Sequence, residues 1–89
     1  MYKPGDDTKL MNKLQDLMNA KIPVQLVVDV DADKAHHKLV KGIIKNVSRN
    51  YVEIGRAATG DEKAQIGGDE VRVIVPIEKI AEIIYAQKD

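Results

Sequence analysis

The stretch 41–54 constrains the fold more than any other part of the chain. Lys41, Ile43 and Lys45 alternate with Gly42, Ile44 and Asn46; Val47 then leads into Ser48-Arg49-Asn50, and the period of two resumes at Tyr51-Val52-Glu53-Ile54. Two strand-like segments around three turn residues read as a hairpin, because Asn tolerates positive φ and Ser and Asn side chains bond nearby backbone. Gly42 weakens a flat strand, since it packs nothing and costs entropy, so it marks a bend or a close backbone approach. A second segment answers the first: Val71, Val73, Val75 and Ile77 alternate, Pro76 removes one ladder bond, and residues 80–85 form a short further strand.

Ahead of these strands the period is helical. Leu10, Leu14, Leu17 and Met18 recur on one face while Lys9, Asn12, Lys13, Gln15, Asp16 and Asn19 fill the other, so residues 8–20 read as an amphipathic helix capped by Asp7 or Thr8. Residues 1–7, with Pro4 and Gly5, read as a frayed end. The stripe is narrow and the polar face carries both charge signs, which fits a helix covering one end of a β-core better than one lying on a membrane. At Ile22 the period changes to two: Ile22, Val24, Leu26, Val28 and Val30 face one way, giving a half-buried first strand. Residues 55–70 hold Gly55, Gly60, Gly67 and Gly68 among many charges and no sustained period. They read as a long loop or as two strand extensions joined by one, with no fixed structure assigned to the middle.

Composition narrows the rest. Phe and Trp are absent and Tyr2, Tyr51 and Tyr85 are the only aromatics, so a chain of 89 residues must build its core from Ile, Val and Leu, which favours strands. Lys plus Arg number 14 and Asp plus Glu 14, so no overall basic field draws in nucleic acid or anionic lipid, and any nucleic-acid site has to be local. The absence of cysteine removes disulfides, thiolate nucleophiles and cysteine-type zinc sites. With no apolar run long enough to span a bilayer and no apolar signal core after Met1, the expectation is one cytoplasmic domain over residues 1–89, without membrane contact.

The order of elements, with Gly42, Ile44 and Val47-Ser48 before a turn, Tyr51-Val52 and Ile54 after it, and then Val75-Pro76-Ile77, Ile80 and Ile83, resembles the Sm and Sm-like family. The spacing is nearest to its bacterial host-factor (Hfq) branch and to small phage or bacterial Sm-like proteins, and the likeness covers residues 8–85. The resemblance implies an N-terminal helix followed by a strongly bent, five-stranded antiparallel barrel of the SH3 type over residues 22–85. It also implies a homo-oligomeric ring of five to seven subunits, in which strand four of one copy pairs with strand five of the next. That pairing would cover the apolar edges an isolated barrel leaves bare, and it places Val73, Ile74, Val75, Ile83 and Ile84 at the subunit interface. In the family, RNA is held at the turns after strands two and four. The matching positions are Ser48, Arg49, Asn50 and Tyr51 in the first turn and Glu78 and Lys79 in the second, Lys79 being the cation there.

Three departures bear on that ligand. Ser48 stands where the family commonly has Asp, Ile77-Glu78-Lys79 replaces its Arg-Gly pair, and the Tyr-Lys-His signature of the host-factor branch is absent. Arg49 and Tyr51 nevertheless supply a phosphate partner and a stacking face for single-stranded RNA. The alternative is a ring of the same kind that acts as a structural or protein-interaction module, in a bacterial cell or a phage-infected host, with its contact on residues 55–70 and no nucleic-acid role.

Other chemistry finds little purchase. Asp29, Asp31 and Asp33 match the opening of a calcium loop, but Lys34 occupies the turn glycine's place and Val40 that of the bidentate glutamate. A solvated strand end explains them better. His36 and His37 are adjacent and point apart on a strand, so they read as loop surface. No phosphate loop, nucleophile set or pair of catalytic carboxylates emerges, and the expectation is a non-enzyme with no catalytic residues, no metal and no cofactor.

Overall fold

The computed structural model describes residues 4–30 and 36–87, with side chains from Thr8 onward. Helix α1 covers Pro4–Asn19, so it opens at Pro4 and takes in most of the stretch read as frayed; proline suits a first helical turn, where its missing N–H is no loss. Its apolar stripe sinks Leu14 and Leu17 into the core, with Met18 packed alongside. The helix stops by a backbone lock. Ile22 donates to the Leu17 carbonyl at 3.1 Å and Lys21 to that of Met18 at 3.1 Å, with Lys21 left-handed at φ 56°. Glycine usually fills that position, and Pro23 just beyond prevents continuation.

Strands β1 (Val24–Asp29), β2 (His37–Val47), β3 (Tyr51–Ala57), β4 (Glu70–Pro76) and β5 (Ile80–Tyr85) form one five-stranded sheet in the order β4-β3-β2-β1-β5, every neighbouring pair antiparallel. The sheet is not closed: β4 and β5 are its two edges. The period of two sorts the faces as expected, with Val24, Leu26, Val40, Ile44, Val52, Ile54 and Val75 buried beneath α1 and, among the described residues, no polar or charged residue in the core. The mainly β architecture with an N-terminal helix is therefore the one the sequence indicates.

The 11-residue β2 binds the two halves of the sheet together. Its first half, up to Gly42, pairs with β1, and its second, from Ile43, pairs with β3. The transition falls on the glycine. A Cβ at Gly42 would lie 2.6 Å from Ile54 Cγ2 and would run into the Gly55 carbonyl oxygen, so β2 and β3 approach this closely only because position 42 has no side chain. Two residues later the β2–β3 register shifts between Ile44 and Asn46, a bulge at Lys45 whose stem lies across Gly55.

The largest difference from the sequence expectation lies in residues 55–70. Strand β3 runs on to Ala57, β4 begins at Glu70, and between them stands a second helix, α2 (Gly60–Ile66), in a stretch without a helical period. Its signal is in the caps. Thr59 and Glu62 form a reciprocal capping box: Glu62 N–H donates to Thr59 Oγ1 at 3.2 Å, and Thr59 N–H donates to Glu62 Oε1 at 2.9 Å. Gly67, left-handed at φ 90°, ends the helix by donating to the Lys63 carbonyl at 3.0 Å.

Candidate nucleic-acid interface

The two turns singled out in the sequence lie together at one end of the sheet. Ser48 N–H donates to the Tyr51 carbonyl at 2.9 Å, closing the β2–β3 turn. The Ser48 hydroxyl oxygen accepts from the Asn50 and Tyr51 amides at 3.3 and 3.2 Å, so this side chain builds the turn and its acceptor capacity is spent inward. Across the gap, Tyr51 stands opposite Pro76, and Ile77 N–H donates to the Asn50 carbonyl at 2.8 Å. That bond fastens the short 3-10 turn Ile77–Lys79 against the first turn. Arg49, Asn50, Glu78 and Lys79 are exposed on this end and Tyr51 is half-buried.

The charge pattern around these turns is a signal the composition concealed. From His36 to Val52 the chain carries no acidic residue, while Lys38, Lys41, Lys45 and Arg49 are all exposed. Four nearby carboxylates are committed elsewhere, while Glu78 stands exposed beside Lys79. Arg72 Nη1 donates to Glu53 Oε2 and its Nε to Glu70 Oε1, each at 3.0 Å, and the bonds to Glu70 and then Glu53 raise its pKa. Arg56 grips Glu62 with two bonds of 2.7 and 2.8 Å, and His37 Nε2 lies 3.1 Å from Asp29 Oδ1. Among the described residues the four β2-side cations have no ion-pair partner. A neutral chain thus holds a local basic segment that runs into the Arg49 turn.

Among the described residues Glu62 is the most perturbed group. The Arg56 hydrogen bonds, followed by the bond from the Thr59 amide, hold its carboxyl down at about 2. Since Arg56 follows Val52 and Ile54 in the period of two, this pair fixes α2 to the side of β3 that faces the core. None of the helix's residues is buried, and Ile66 at its end is 71% exposed.

The five residues assigned to an interface separate by face. Val75 is 3% exposed and belongs to the chain's own core, with Val73 and Ile83 packed partly against it. Ile74 and Ile84, on the opposite face of the two edge strands, are 63% and 43% exposed. Of the calcium-like aspartates, Asp29 faces His37, and Asp31 and Asp33 lie outside the described residues. Among the described residues no group of three or more His, Asp or Glu side chains is placed to hold a metal, and no helix is long and apolar enough to cross a membrane.

These elements define a small, mainly β domain with an N-terminal helix and an open five-stranded antiparallel sheet. No protein-family model matches the chain, and neither a curated protein nor a solved structure matches it.

Proposed function

We propose that the sheet is the bent barrel of an Sm-like subunit, that copies assemble head to tail through β4 and β5 into a ring of five to seven, and that the ring holds single-stranded RNA at the joined turns. Arg49 supplies the phosphate contact, Tyr51 the stacking face and Lys79 a second cation. The observation that carries the reading is the Ile77–Asn50 bond, which brings residues 48–51 and 77–79 to one end of the sheet beside an acid-free basic segment. The strand order supports the assembly, since it leaves β4 and β5 as opposite edges, each with an exposed isoleucine. Repetition around a ring makes one weak site per subunit effective. The site of action proposed is the interior of a bacterial cell, where a cysteine-free chain is at no disadvantage.

Titration of fluorescent oligo-U and oligo-A RNA at low and moderate salt, read by anisotropy, tests the proposal. Binding weakens as salt rises, and Tyr51→Ala and Arg49→Ala each lower affinity by roughly tenfold, as loss of a stacked base or a phosphate contact does. Absence of binding at low salt refutes the RNA reading and leaves the assembly to be judged by sedimentation.

A further inference from the structure

We infer that α2 is an assembly arm, and that Ile66 of one copy seats in the groove between α1 and β5 of the next. The inference rests on the head-to-tail reading above. A seven-residue helix that buries none of its own residues, yet is capped at both ends and clamped by Arg56 through Glu62, is held in place without contributing to its own chain's core. Its exposed Ile66 is joined to the start of edge strand β4 by only Gly67, Gly68 and Asp69, which keeps it within about 14 Å of that edge.

The opposite edge offers a receptor. Leu17, Ala20, Ile22 and Tyr85 line a groove of about 330 Å³, with Lys13 and Asp16 at its rim and the Lys13 ammonium 5.3 Å from the Tyr85 ring centre. Faces and directions match. Arg56 holds α2 on the core side of the sheet, and the groove lies on the core side of β5, where Tyr85 packs. If β4 and the next copy's β5 pair antiparallel, as every pair within the chain does, the Glu70 end of β4 meets the Tyr85 end of β5 and the core sides stay aligned. Ile66 then lies over the groove that Tyr85 borders. A parallel arrangement would instead carry it toward the other groove of about 240 Å³, lined by Leu10, Leu14, Ile77, Ile80 and Ile83.

The chain has no cysteine, so engineered disulfides report the contact without background. Oxidation of Ile66→Cys/Ala20→Cys gives an intermolecular ladder on non-reducing gels, and Ile66→Asp raises the subunit dissociation constant by about tenfold or more, for loss of one buried aliphatic side chain. All these positions are exposed in the single chain. A ladder from Ile66→Cys/Leu10→Cys in place of the Ala20 pair overturns the seating. So does absence of both ladders while an edge pair, Ile74→Cys/Ile84→Cys, still cross-links. If the edge pair also fails and the wild-type chain sediments as a monomer, the head-to-tail reading falls and the arm's seat with it.

Discussion

Strand β3 is reversed at both of its ends, and the two reversals are held by different forces. Before Tyr51 the chain turns through three residues, and the turn is closed by Ser48, whose backbone and hydroxyl together engage Asn50 and Tyr51. After Ala57 it turns through α2, and the tip is held by ionised groups: Arg56 on Glu62, with the same carboxylate accepting from Thr59. Neutral hydrogen bonds fix the first, so its geometry is indifferent to pH and salt. The second is closed at its base by a neutral bond, Ala58 N–H to the Asp69 carbonyl at 2.9 Å, but its tip is held by a charge pair on a surface with little burial, which makes the tip conditional. The proposed contacts divide accordingly: the rigid end presents Arg49 and Lys79, and the conditional end presents Ile66.

Both ends depend on how closely β2 approaches β3, and Gly42→Ala attacks that approach directly. The added methyl meets the Gly55 backbone and Ile54, so the strands must separate or strain. The expected loss is about 2–4 kcal/mol in urea unfolding, with exchange protection falling on both sides of β3. An unchanged midpoint would mean that β2 and β3 do not meet as described. Ser48→Ala is smaller and one-sided. It removes the acceptor for two amides that water can partly reach, costing about 1 kcal/mol, and the loss of protection stays at residues 48–51 while α2 is untouched. Equal losses at both ends would erase the distinction between them.

Much of the first end was legible in the sequence, because its information is local. Ser48-Arg49-Asn50 is turn chemistry, Tyr51 resumes a period of two, and Gly42 announces a close approach without naming the partner. The second end was illegible to periodicity. Between Gly60 and Ile66 only Ala64 and Ile66 are apolar, which makes no stripe; the helix is written instead in Thr59, Glu62 and Gly67, a capping box and a left-handed stop. The same alternation that locates β4 also separates Val73 and Val75, on the core side, from the exposed Ile74. That Ser48 bonds its own turn agrees with its turn chemistry, but that one hydroxyl takes both the Asn50 and the Tyr51 amide follows only from backbone geometry. The Arg56–Glu62 clamp could not be seen either, since it joins a strand to a helix that no stripe revealed.

The smallest expected effect separates the two ends most cleanly. In the folded chain Glu62 is depressed from its ordinary 4.5 to about 2, so the stability its ionised form contributes is fully present above pH 4.5 and is lost as pH falls through about 2. The amides of Thr59, Glu62 and Gly67, followed by NMR from neutral pH downward, should therefore hold their shifts well below the ordinary carboxylate range and move only toward about pH 2. The amides of Asn50 and Tyr51 accept no change from this group, because their partner is a hydroxyl. Glu62→Gln should abolish the acid transition at the tip, loosen α2 at every pH above about 2 by removing the charge, and leave the Ser48 turn as it was. A tip transition centred near the ordinary value would show that Arg56 does not grip Glu62, and α2 would then have no clamp to hold Ile66 toward a neighbouring copy.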